Sequence, residues 1–168
     1  RLRPLRPMNR PGLRFLFAHP AHFIALGFGS GLSRWAPGTA GTLAAWLLFP
    51  LLSRNFSEAG FLVFLAAAFI LGIFAVGRAG RALGVVDHGA IVWDEIVPFW
   101  LVLLMTPAGF LWQLAAFIWF RFFDIVKPQP ARWIDGHMKH GFGVMLDDLV
   151  AAGYTLLVLA LFKVLFNG

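Results

Sequence analysis

Seven of the eight acidic residues stand where apolar segments begin or end: Asp87, Asp94, Glu95, Asp124, Asp135, Asp147 and Asp148. The eighth, Glu58, lies apart. A carboxylate beside hydrocarbon is costly unless something compensates its charge. Acids kept in tight groups within so apolar a chain are therefore expected to work together. Their oxygens suit a hard divalent cation.

Each group has its own logic. Asp94 and Glu95 follow Asp87-His88-Gly89 and open an apolar run. Neighbours on a helix point roughly 100° apart, so this pair can flank one ion or bridge two. An acidic pair at a helix start also suits the helix dipole. The dipole does not account for two carboxylates beside Trp93 and a fully apolar continuation, so metal binding or catalysis is the favoured reading. His88 reads equally well as a headgroup contact or a solvated side chain. Arg121, Asp124 and Lys127 are spaced i, i+3, i+6 and are expected to share a helical face, with Pro128 ending the helix. Cation–carboxylate–cation suits a site that binds both phosphate and metal; a salt-bridged helix end is the plainer reading. Asp135-Gly136 leads to Gly141-Phe142-Gly143 and then Asp147-Asp148. Here a glycine turn is expected to deliver two adjacent acids to the start of the last helix. The two acidic pairs, entering the membrane zone from one side, could hold one Mg²⁺ or two. Gly27-Phe28-Gly29-Ser30-Gly31 and Pro37-Gly38-Thr39-Ala40-Gly41-Thr42 could turn backbone N–H groups toward an anion, with Thr39 opening a helix. No Lys follows the last Gly, so this is not a Walker loop. The same glycines would equally let helices pack closely in lipid.

The elements that must position these groups are membrane helices. The chain has 168 residues, 60% apolar and 13% charged, and globular proteins average roughly 25% charged. It contains no Cys, which removes disulfides, zinc–thiolate sites and cysteine nucleophiles. Apolar runs predict crossings at 40–53, 61–77, 91–105, 109–123 and 149–166, with 15–28 interfacial because His19, Pro20 and His22 break it. Several runs fall short of the roughly 20 residues a perpendicular span needs, so some helices are expected to be tilted or only partly submerged. With the N-terminus in the cytoplasm, segments 1–39, 78–90 and 124–148 hold nearly all Arg and Lys and all seven clustered acids. That is a strong positive-inside bias. Arg1, Arg3, Arg6, Arg10 and Arg14 form a basic arm over residues 1–14. It reads as a cytoplasmic tail against anionic headgroups, not as a nucleic-acid binder or a cleaved signal peptide. Residues 15–168 read as one all-α membrane-embedded domain of four to five helices plus an interfacial N-terminal helix. The sequence sets no oligomeric state.

Taken in order, Gly27–Thr42, Asp87–Glu95, Phe120–Pro130 and Gly141–Gly153 resemble the phosphatidylglycerophosphatase A family, from about Phe17 to Val158. The resemblance implies a compact helical fold around a central helix in the bacterial inner membrane, working at the cytoplasmic face. It implies Mg²⁺-dependent removal of the phosphomonoester of phosphatidylglycerophosphate. On that reading Asp94, Glu95, Asp124, Asp147 and Asp148 form the metal shell, and Asp94, Glu95, Asp124 and Asp148 carry the catalysis. Arg121, Lys127 and Arg132 hold phosphate, and Gly38, Thr39, Gly41 and Thr42 add backbone donors. Asp87, His88 and Asp135 stand at the margin, in supporting or structural roles. Pro98 and His140 depart from the family, standing where Gly is common; neither is one of the acidic positions. The rival enzyme class is a phosphatidyltransferase acting on CDP-linked lipids, but Ala131-Arg132 precedes Asp135-Gly136 here where that signature has the reverse order. A non-enzymatic transporter or scaffold with an intramembrane cation site is the other alternative.

Overall fold

Small and apolar residues at Phe61, Leu65, Ala68, Gly72, Ala75, Val76, Ala79 and Leu83 recur every three or four positions and are all buried. That period makes one stripe of a long helix face inward. Leu62, Val63, Ile70, Leu71 and Phe74 face outward instead. The structure is a computed structural model describing residues 10–167, so Arg1, Arg3 and Arg6 of the expected basic arm lie outside the described residues. Among the described residues the chain is all helical. The helices are α1 (Leu13–Phe17), α2 (Pro20–Ala25), α3 (Pro37–Ser53), α4 (Glu58–Leu83), α5 (Trp93–Met105), α6 (Phe110–Val126), α7 (Ala131–His137) and α8 (Gly141–Asn167), with a 3₁₀ segment at Gly27–Leu32.

The central helix is α5. It is buried on nearly every side and packs against α3, α4, α6 and α8. Indole N–H groups pin it. Trp93 donates to the Ala68 carbonyl of α4 at 3.0 Å, and Trp100 donates to the Ala45 carbonyl of α3 at 2.9 Å. A third indole, Trp46, ties α3 to Gln113 of α6 at 2.7 Å. Large aromatic bodies with one donor each can fill an apolar interior while that donor finds a partner. Pro98 lies inside α5. It has no N–H, so the Asp94 carbonyl loses its intrahelical bond at the acidic end of the helix.

Two helices, α4 and α8, are long and apolar enough to cross a membrane. At about 1.5 Å per residue α5 is about 20 Å long, short of the roughly 30 Å hydrocarbon core. The outer faces of the shorter helices are apolar too, with Leu47 and Leu51 on α3 and Leu111, Ile118 and Ile125 on α6 exposed.

Two boundaries differ from the sequence expectation. Helix α4 continues through Arg78 and Arg81 to Leu83, where Gly84 takes a left-handed φ of 79° and closes it. The polar residues after 77 are therefore the exposed end of a helix. Helix α8 begins at Gly141, so Asp147 and Asp148 lie in its second turn and not at its start. Positions 141 and 143 lie inside the helix and are glycine because a Cβ there would collide with the backbone carbonyls of Ile73 and Met138.

Candidate metal and phosphate site

Each acidic pair comes from one helix, and 100° between neighbours lets only one member of a pair face a given point. Glu95 from α5 and Asp148 from α8 meet Asp124 from α6. One carboxylate oxygen from each lies within 4.8 Å of the other two. Asp124 and Asp148 are buried, and Glu95 is nearly so. Arg121, one turn before Asp124, reaches into the group. Its Nη1 lies 2.9 Å from Glu95 Oε1 and also bonds Asp124. Three carboxylates against one guanidinium leave two negative charges when all are ionised, which a divalent cation would balance.

The partner members face elsewhere. Asp147 is held by Lys127, which also lies 3.6 Å from Asp135; Lys139 reaches Asp135 at 3.5 Å. Burial acts to lower the Lys127 pKa, but the hydrogen bond and charge of Asp147 outweigh it and hold the ammonium protonated. Asp94 is buried and within electrostatic reach of Glu95, Asp87, Asp147 and Asp124. The Asp87 carboxyl is pushed up by the protein crowded around it, against the pull of Lys127, and Asp135 adds to the push. The residue still keeps an exposed outer edge.

The atoms left without partners test whether a metal fits. Asp94 Oδ1, Glu95 Oε2 and Arg121 Nε are buried and make no hydrogen bond. A buried carboxylate oxygen with no donor is expensive, and an all-oxygen donor set suits Mg²⁺. Two orphan acceptors beside an orphan donor are what a site for a cation and a phosphate would leave bare.

The glycine-rich blocks divide. Gly27 packs on Ile96 and Val92, Gly31 on the Ala90 carbonyl, and Gly41 on Val92. The Thr42 hydroxyl donates to the Gly38 carbonyl at 2.9 Å inside α3. These residues hold α3 and the 3₁₀ segment to the start of α5. Thr39 is half-buried in the first turn of α3, which begins two residues earlier, at Pro37. Gly38 alone abuts the carboxylates: a Cβ there would overlap the Glu95 carboxylate. Sequence reasoning valued Gly38 for its N–H and missed its lack of a side chain. Gly38→Ala is expected to displace Glu95 and lower kcat by about 100-fold. The group it pushes is the end of a side chain, so Tm should barely move. Full activity with Ala at 38 would show that Glu95 is not needed where it stands.

Lys127 does not share the face of Arg121 and Asp124. Helix α6 ends at Val126, and Lys127 caps it with a left-handed φ of 47°. A residue before proline is disfavoured in the helical region, so the chain turns there and Lys127 swings toward α8. Arg132 is exposed and donates to the Val126 carbonyl at 3.2 Å, bracing the same turn. His88 accepts from the Ala90 N–H at 3.1 Å.

Comparison with known proteins follows the same residues. Two curated bacterial proteins named phosphatidylglycerophosphatase A are similar to this chain. The one from Haemophilus influenzae is 44% identical over 151 residues, covering 89% of this chain and 93% of the relative. The one from Escherichia coli is 38% identical over 142 residues, covering 82% and 80%. A Bacteroides thetaiotaomicron protein named putative phosphatidylinositol-3-phosphatase is 39% identical over 147 residues, covering 82% and 89%. No solved structure matches this chain. The family description for phosphatidylglycerophosphatase A matches residues 23–163. That stretch contains every carboxylate of the cluster and the arginine that bridges it, and the chain belongs to the phosphatidylglycerophosphatase A family.

Proposed function

We propose that this protein is a Mg²⁺-dependent phosphatidylglycerophosphatase, releasing inorganic phosphate from phosphatidylglycerophosphate and leaving phosphatidylglycerol. The observation that carries the chemistry is the convergence of Glu95, Asp124 and Asp148 around Arg121, with orphaned carboxylate oxygens beside them. Glu95, Asp124 and Asp148 would hold the ion, and Asp94 adds a fourth carboxylate at its edge. When bound, Mg²⁺ offsets charge on the phosphate and on the oxygens entering and leaving phosphorus. The chain's own groups do the rest. Arg121 offers its Nε–H and the remainder of its fork to phosphate oxygens, which a planar guanidinium matches. Asp94 Oδ1, buried and without a partner, would accept a hydrogen bond from the attacking water. That water would form the new P–O bond as the bond to the glycerol oxygen breaks; the water gives up one proton and the glycerol oxygen takes one up, so free alcohol and inorganic phosphate leave. Lys127 holds Asp147 away from the ion site and keeps a positive charge at its mouth. Arg132 has the weaker claim on phosphate, being exposed.

Phosphatidylglycerophosphate and phosphatidylinositol 3-phosphate, the lipids in the relatives' names, share one chemistry. Each is a lipid phosphodiester whose headgroup alcohol carries a phosphomonoester. The reading extends to the setting. Residues 15–168 form a single multi-pass unit of the bacterial inner membrane, with α3, α5 and α6 embedded beside α4 and α8, and residues 1–14 a cytoplasmic arm. The apolar outer faces of α3 and α6 support embedding. The cationic residues Lys127, Arg132 and Lys139 around the site support a cytoplasmic face.

The test is phosphate release from phosphatidylglycerophosphate in detergent micelles. Purified protein is expected to lose all measurable activity in excess EDTA and to regain it with Mg²⁺, and to release no CMP from CDP-linked lipids. Activity that persists in EDTA would sink the metal reading.

A further inference from the structure

A cleft of about 660 Å³ opens beside the carboxylate cluster. Arg10, Ser33, Arg34, Pro37 and His88 line it, and no Asp or Glu does. Neither Arg10 nor Arg34 has a carboxylate within ion-pair distance among the described residues. The cleft is therefore a cationic basin, and the first turn of α3 stands at its rim with no side-chain cap from Ala36. Two of its lining residues are chain neighbours of residues at the acidic groups. Pro37 precedes Gly38, which abuts Glu95. His88 follows Asp87, which lies in the field of Lys127 and Asp135. A positive basin one residue removed from the Gly38–Glu95 contact suits a ligand with two anionic groups held at different places. On the reading above, the substrate is such a ligand: the phosphomonoester goes to the carboxylates and Arg121, and a phosphodiester remains on the far side of its glycerol.

We infer that the Arg10–Arg34 cleft binds the non-scissile phosphodiester of the substrate lipid and so selects lipids whose phosphomonoester sits on a headgroup alcohol over those, like phosphatidic acid, whose phosphomonoester sits directly on diacylglycerol. This rests on the function proposed above. Arg34 and Arg10 are exposed, so their replacement spares the fold. At about 660 Å³ the cleft has room for a phosphate group, and a planar Arg fork matches its oxygens.

The experiment compares wild type with the Arg10→Gln/Arg34→Gln double variant in neutral detergent micelles with Mg²⁺. Phosphate release is followed from phosphatidylglycerophosphate and from phosphatidic acid of the same acyl chains. Wild type is expected to prefer the first lipid. In the double variant that preference, as a ratio of kcat/KM, should fall about tenfold, chiefly through KM, and Arg34→Lys alone should lose less than Arg34→Gln alone. An unchanged ratio, an equal loss on both lipids, or a wild type without preference overturns the inference. So does a defect seen only after phosphatidylglycerol is added to the micelles, since the cleft would then be taking neighbouring headgroups. Wild type that releases no phosphate from either lipid overturns the proposed function, and the inference with it.

Discussion

Asp148→Asn is expected to lower Mg²⁺-dependent phosphate release by about 1,000-fold and, in the same protein, to raise the thermal midpoint measured without metal. The two effects share one cause. Asp148 stands with Glu95 and Asp124 inside a sphere small enough for one ion. Arg121 bridges Glu95 and Asp124 but stays beyond ion-pair distance of Asp148. Asp148 is thus the least compensated charge of the three, buried among carboxylates in the second turn of α8. Like charges at such range repel strongly where water is excluded. An amide removes one of them, keeps the shape and forfeits a ligand. Relief of about 1 kcal/mol would appear as about 3 °C in Tm for a chain of this size. Mg²⁺ should then raise the Tm of wild type, through binding to the folded state alone, and leave the variant nearly unmoved. Thermal scans with and without Mg²⁺, beside the phosphate assay, check both halves. A variant that is inactive yet no more stable would mean that Asp148 is already neutralised in the metal-free protein.

The same geometry explains what could be read from the sequence. The all-helical class was legible because only helices or closed barrels satisfy the backbone in lipid, and these apolar runs lack the apolar–polar alternation of barrel strands. The grouping of acids was legible too. Which member of each pair would converge was not, because a 100° step only says that they diverge. Choosing Glu95 over Asp94 and Asp148 over Asp147 needs the rotation of α5 and α8, and that is set by distant packing such as Trp93 on Ala68 and Trp100 on Ala45. Lys127 was misplaced by a local rule applied one residue too far: Pro128 ends α6 as expected, but its restraint on the preceding residue turns Lys127 out of the helix. Gly141 and Gly143 read as a turn because glycine signals turns in isolation. Here their meaning is tertiary, a close approach of α8 to Ile73 and of its first turn to Met138. In the sequence Arg34 reads only as one more cytoplasmic-side cation, because its chemistry depends on a cleft that only the fold assembles.

Arg121 carries the remaining large effect, and two substitutions separate its roles. It is the cation that holds Glu95 and Asp124 together when no metal is present. Arg121→Gln strips that charge and leaves three crowded carboxylates uncompensated. Breaking a buried pair from one side costs about 3–5 kcal/mol, or about 10 °C in Tm. Mg²⁺ should recover more of that loss than it adds to wild type, because the ion then replaces the missing charge. Arg121→Lys keeps a charge on α6 at the same register and should hold Tm within a few degrees. It does not keep the fork. A single ammonium cannot bond Glu95, Asp124 and a phosphate in one plane, nor replace the buried Nε–H that has no partner in the protein. The Lys variant is therefore expected to lose about 100-fold in kcat with stability nearly intact, whereas the Gln variant loses both. Equal activity in the Lys variant and wild type would reduce Arg121 to a counter-ion, and the phosphate-binding role would then have to move to Lys127 at the mouth of the site.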